Sequence, residues 1–272
     1  MEREKLEGLL YRQNRVKYNQ IKELSRRFRV QYSRPLVGDG IFSIMQNYVQ
    51  RSQEHLEILR LPISDSRFQG FTVVRQGEIF LVVNTSLPLA EQNFTAAYEL
   101  YEIVFHLEKK NTRLIKRGSL VLEGEEKNPE ASAFAAMILA PEAEILEQME
   151  LFEIEKSAIG VKETVRLMDC FGIPYDAMAL RLYECEIIEA KRAAALLSRR
   201  IEAEQYSFDT GIAKRRLQNT RDEISFGELP ALLKQNEEQG TLPGEVIWQD
   251  RIRMEEIKGM FLASPINLDR DY

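Results

Sequence analysis

Residues 94–106 read FTAAYELYEIVFH. Tyr98, Glu99 and Glu102 are spaced so that a helix carries the first and last on one stripe, with the middle one beside them. A zinc-peptidase helix uses this spacing for His, Glu and a second His: two imidazoles grip the metal and the glutamate takes a proton from metal-bound water. In this chain tyrosine and glutamate fill the two imidazole places, and only Glu99 is of the type such chemistry needs. The metal matters because it brings the pKa of bound water from about 15.7 to about 7. Losing that shift forfeits on the order of 12 kcal/mol of nucleophile activation, which a lone carboxylate does not supply.

Composition narrows the chemistry further. The 272 residues contain two histidines, His55 and His106, and two cysteines, Cys170 and Cys185. A disulfide framework is excluded, and every mechanism that needs imidazole is restricted. Cys170 falls in an apolar helical pattern and reads as a buried structural thiol. Lys plus Arg is 37 against 43 Asp plus Glu, a net charge of −6 that favours solubility and argues against broad nucleic-acid binding. The start, MEREKLEGLL, is too charged for a secretion signal, and no apolar run approaches the ~18 residues of a membrane span. The expectation is a cytoplasmic protein without membrane association.

The elements that must position Tyr98, Glu99 and Glu102 are legible from periodicity. Residues 3–31 have helical spacing, and from Arg12 to Arg34 eight basic residues face one acidic residue, Glu23. That run reads either as a solvated helix face or as a surface for nucleic acid or an acidic partner. Residues 40–50 form a second helix. GFTVV and EIFLVVN, separated by a turn at residues 75–78, read as a β-hairpin, with an earlier strand near 57–62 and a later one at 119–122. Residues 130–140, EASAFAAMILA, make a small-residue helix, and 142–156 an acidic amphipathic one. Gly172 and Pro174 mark a corner between two helices, the second running from Asp176 to about Gln205. Its first half is acidic, so this unit reads as structural and not as a DNA reader. YSFDTG reads as a loop, Leu229 to Gln239 as a helix, and 244–262 as the last helix.

The order of these pieces resembles a known family. An apolar hairpin ending in VVN, then FTAAYELYEIVFH, then EASAFAAMILAP, then FGIPYDAMALRLYE, is similar to the ImmA/IrrE family of metallopeptidases over roughly residues 40–190. Members show FTxAHELGHxxxH, then ExxANxFAAxLLxP, then FxVSxxAxxxRL. The resemblance implies a zincin-like fold and cleavage of helix-turn-helix repressors. It puts the first ligand His on Tyr98, the general base on Glu99, a glycine beside the metal on Tyr101, and the second ligand His on Glu102. The third ligand, a glutamate, falls on Glu130, a frequent later His on His106, and a downstream Asn on Ser132. Both imidazole ligands are therefore replaced, and Tyr101 adds bulk where substrate would approach. Glu99 is then a silent remnant of the base, and Tyr101 and Ser132 line what is left of the cleft, partly filled by the Tyr98 and Tyr101 rings.

Two further arrangements compete with that one. Glu102 and Glu130, with Tyr98, would make an oxygen site suited to Mg, Mn or Ca. Alternatively His106, four residues from Glu102, becomes a shifted ligand with Glu102 and Glu130. The plainer expectation is a packed His106 and a Glu102 hydrogen-bonded at the surface. The fold expected is α+β and mostly helical, with a small antiparallel sheet: a basic N-terminal helix (1–36), a peptidase-like domain (37–200) and a helical extension (201–272). The first functional reading is a catalytically inactive, cofactor-free module that binds a protein partner, by the resemblance a helix-turn-helix regulator. The others are an atypical metal-dependent endopeptidase, with zinc or another metal, and a DNA-binding regulator acting through the basic run.

Overall fold

Alternating apolar residues build the sheet. The computed structural model describes residues 2–32, 40–52, 55–64, 68–75, 77–106, 117–118 and 128–263. It contains β1 (Leu56–Leu61), β2 (Gly70–Arg75), β3 (Glu78–Asn84), β4 (Arg117–Gly118) and β5 (Ser225–Phe226), in the order β4-β2-β3-β1-β5. β2 and β3 form the expected hairpin, from Gly70 opposite Val83 to Arg75 opposite Glu78. β1, however, runs parallel to β3, from Leu56 beside Ile79 to Leu61 beside Asn84. The sheet is thus mixed and not wholly antiparallel, because β2 itself lies in the crossover that parallel neighbours require. The strand expected at 119–122 lies outside the described residues.

Period-two patterning gives the sheet two apolar faces. Ile79, Leu81 and Val83 join the main core, whereas Val82 joins Leu61 and Ile63 in a second cluster. Ile224, Phe226 and Phe261 pack on that second cluster, so the C-terminal extension covers the outer face of the sheet.

Helices fill the remainder of the α+β fold. The N-terminal pattern is delivered in three pieces, α1 (Glu2–Glu7), α2 (Leu10–Gln13) and α3 (Arg15–Tyr32), followed by α4 (Ile41–Ser52). α3 buries Tyr18, Ile21, Ser25 and Phe28. Its cations meet carboxylates of the same chain. Arg15 pairs with Glu186 at 2.6 Å, Arg26 and Arg27 pair with Glu23 at 2.8 and 2.7 Å, and Lys22 and Arg29 pair with Glu142 and Glu144.

After the sheet come α5 (Leu89–Tyr101), α6 (Pro129–Leu139), α7 (Glu142–Leu151), α8 (Val161–Phe171) and α9 (Tyr175–Glu184). α7 stops short of the expected residue 156. Gly172 ends α8 in the left-handed conformation with φ of 59°, and Pro174 caps α9, as the corner pattern requires. The expected long helix is instead three: α9, α10 (Ala190–Leu197) and α11 (Arg200–Thr210). The first break falls at Glu186, itself left-handed with φ of 58°, and it turns the adjacent Ile187 and Ile188 into the core. YSFDTG is not a loop: Tyr206–Thr210 continue α11, and Gly211 is the stop. α12 (Lys214–Leu217), α13 (Leu229–Gln239) and α14 (Gly244–Ala263) complete the chain. Among the described residues no helix is long and apolar enough to cross a membrane. Cys170 and Cys185 are half-buried, not fully buried, and burial raises both thiols, Cys185 to about 11.

One cation sits in the middle of these helices. Arg181 of α9 is fully buried. Its Nε donates to the Ala140 carbonyl at the end of α6 at 2.9 Å, and its Nη1 donates to Tyr18 Oη of α3 at 2.8 Å and to Glu184 Oε2 at 3.3 Å. Burial raises the Glu184 carboxyl while Arg181 opposes that shift. Replacing Arg181 by Ala leaves Glu184 buried without its cation, and should cost about 3–5 kcal/mol in denaturant unfolding; replacing Arg181 by Met and Glu184 by Leu together should cost much less.

Buried phenols set the alkaline limit of stability. Burial, followed by the bond to Glu186, pushes Tyr11 up to about 12. Burial also raises Tyr18, Tyr101 and Tyr175. The unfolded chain loses these protons near pH ~10, where the folded chain still holds them. Stability from the neutral phenols is therefore complete below about pH 10 and declines as pH rises through about 12 for Tyr11. Phenolate absorbance of native protein should lag that of protein in denaturant, and coincident titrations would contradict these burial assignments.

Candidate functional site

The helix that opened the sequence reading is buried along its whole polar stretch. Tyr98, Glu99, Tyr101 and Glu102 are each at most 9% exposed. Past Tyr101 the backbone winds into a π-helical turn over Glu102–His106. The His106 side chain lies outside the described residues.

Each carboxylate has found a donor. Glu99 faces the sheet, where Thr72 Oγ1 of β2 donates to its Oε2 at 2.8 Å. This contact depends on Gly70: a Cβ there would stand 2.7 Å from Thr95 Cγ2 and 2.8 Å from the Val82 carbonyl oxygen, pushing β2 away from α5. Glu102 is not at the surface, as expected from sequence, but buried, and its Oε1 accepts from Asn128 Nδ2 at 2.6 Å. Glu130 Oε2 accepts from Tyr101 Oη at 2.6 Å and lies 3.2 Å from Lys17 Nζ of α3. Burial first, and then the bond to Glu130, push the Tyr101 phenol above its usual range. Tyr98 Oη accepts from the Asn128 backbone N–H at 3.0 Å.

Asn128 is therefore the hub. Its Oδ1 caps α6 by accepting from the N–H of Glu130 at 2.9 Å and of Ala131 at 3.4 Å, while its amide and backbone reach Glu102 and Tyr98. The Tyr101 ring packs against Phe105 and Phe134 with centroids 5.1 and 5.3 Å away. Tyr98, Tyr101, Glu102 and Glu130 are thus brought together. Ser132 is half-buried and lines a separate cavity of about 560 Å3 with Phe94, Leu10 and Glu184. Sequence reasoning passed over Asn128, Thr72 and Lys17. Asn-Pro ahead of an apolar run is an N-cap signature that marks Asn128; Thr72 and Lys17 carry no comparable local signal.

The donor set does not suit zinc. Zinc needs three donors converging on one point, nitrogen foremost. Here the Tyr98 oxygen receives a backbone N–H, Glu102 is bonded to an amide, and Glu130 is shared between a phenol and an ammonium. Among the described residues no three His, Cys, Asp or Glu side chains are grouped to hold a metal ion. The oxygen site of Tyr98, Glu102 and Glu130 would have to break these bonds to form.

A mixed sheet lies over the buried helix of Glu99, backed by the helix that bears Glu130, and a family match places this domain in a metallopeptidase-like class. Residues 51–183 match the IrrE N-terminal-like domain, a match that supports membership of the ImmA/IrrE family for this segment. A comparison with curated proteins finds no match.

Asn128 can be tested in two ways. Asn128→Ala removes both cap and amide and should cost about 2–4 kcal/mol, from roughly 1 for the cap and 1–3 for the stranded carboxylate. Asn128→Asp keeps the cap but sets a second carboxylate beside Glu102, so the folded pair holds a proton that the unfolded chain gives up. Its deficit in urea unfolding should be large at pH 7 and shrink toward pH 5. A deficit that does not change with pH would show that residue 128 and Glu102 do not interact.

Proposed function

We propose that this chain is a catalytically silent member of its family that acts as a protein-binding regulatory module. One observation carries the reading: the groups at the former ligand positions satisfy one another through Asn128, Tyr101 and Lys17. Glu99 stands at the base position, but Thr72 donates to its carboxylate and the water-activating imidazoles are replaced. A family surface that recognises a regulator remains useful without the cutting step, and a helix-turn-helix protein is the partner that the family relationship favours. The competing endopeptidase reading requires Glu102 and Glu130 to leave their present partners for a metal.

Metal analysis separates the two readings. Purified protein should carry zinc well below one ion per chain after dialysis. A variant with Tyr98→His, Tyr101→Gly and Glu102→His restores the ligand types and should take up zinc close to stoichiometrically. Stoichiometric, dialysis-resistant zinc in the unaltered protein, lost together with cleavage of a repressor on chelation, would end the silent-module reading.

A further inference from the structure

Two groups of cations among the described residues differ in their partners. Those of α3 described above meet carboxylates. Those around the loop before α8 and along α10 are different. Lys156, Lys191 and Arg192 line a concavity of about 820 Å3 whose floor includes Ile187, Ile188 and Leu196. Lys156 and Lys191 are exposed, and neither has a carboxylate partner among the described residues. Arg192 donates to the carbonyls of Ser157 at 2.7 Å and Lys156 at 3.3 Å, which orders the rim without neutralising it. Glu189 is the acid among the lining residues. A basic rim over an apolar floor is unusual in a chain of net charge −6.

The complementary surface is on the same chain. α7 presents Ala143, Leu146, Glu147 and Glu150 at i, i+3, i+4 and i+7, one continuous helical stripe. Leu146 is 41% exposed and the adjoining Leu151 70%. Glu147 and Glu150 are exposed and have no cationic partner among the described residues. The inner face of α7 is fixed by buried Ile145 and Met149 and by the pairs of Glu142 with Lys22 and Glu144 with Arg29. The helix therefore cannot turn its outer face inward, and in the single chain that face stays open to solvent.

We infer that the groove between α10 and the loop before α8 receives α7 of a second copy of this chain. Leucines meet the isoleucine floor, and Glu147 and Glu150 meet Lys156 and Lys191, giving an apolar centre and a charged rim. Each copy carries one groove and one such helix, so a two-fold arrangement has both copies exchange both contacts. The inference is independent of whether the Glu99 site is silent.

Sedimentation of the full chain tests it. The sedimentation coefficient should rise with protein concentration at low salt, and the association should weaken as salt approaches 1 M, where the screening length is about 3 Å. One variant carries Lys156→Glu and Lys191→Glu; a second carries Glu147→Lys and Glu150→Lys. All four positions are exposed, so circular dichroism should be unchanged. Each variant alone should associate at least about tenfold more weakly, because like charges now face each other, and an equimolar mixture should recover a one-to-one complex. A monomer at every concentration, self-association that both variants retain, or a mixture that stays monomeric would each overturn the inference.

Discussion

A carboxylate removed from water must be met by a donor or a cation. Glu99, Glu102 and Glu130 impose that requirement three times in one small region, and much of the local architecture is the answer. Glu99 is met by a hydroxyl from the sheet, Glu102 by an amide from the N-cap of α6, and Glu130 by a phenol and the ammonium of Lys17. In a working zinc peptidase the metal supplies much of the compensating positive charge. Here the charge that meets Glu130 comes from α3, which lies outside the segment that matches the family. Asn128 ties the solution together, since one side chain caps α6 and holds Glu102, and its backbone N–H reaches Tyr98.

The same logic governs the second buried charge. Arg181 reaches the last carbonyl region of α6, the phenol of Tyr18 and the carboxylate of Glu184. Three helices are thereby fixed in relation to one another by directional bonds as well as by apolar packing. A buried ion pair of this sort adds little net stability over apolar residues of the same shape, but losing one partner is costly. With the pairs of Lys22 and Arg29, it explains why the basic N-terminal run lies against the body of the protein.

How much of this was legible in the sequence depends on the range of the signal. The hairpin, the small-residue helix and the Gly172 corner were readable because period and punctuation are local. The parallel pairing of β1 with β3 was not, since a strand's own pattern does not name its neighbour. Nor was the break at Glu186: a left-handed glutamate carries no mark in sequence, and helix-forming residues lie on both sides of it. The role of the extension was hidden for the same reason, because Phe226 and Phe261 acquire meaning only beside Val82 and Leu61. At the site, spacing singled out Tyr98, Glu99 and Glu102, and the resemblance added Tyr101. Spacing did not place Glu102 in the interior, because its partner Asn128 lies on another element.

The recognisable segment opens at residue 51, yet the object that folds is larger. Tyr18, Ile21, Phe28, Ile41 and Met45 all belong to the main core cluster. A fragment trimmed to residues 51–183 would bare the side of Phe134 that Phe28 covers, take both Tyr18 and Glu184 from the guanidinium of Arg181, and leave Glu130 without its ammonium. The N-terminal helices are masonry of this protein: they stand where the matched segment alone would present open walls.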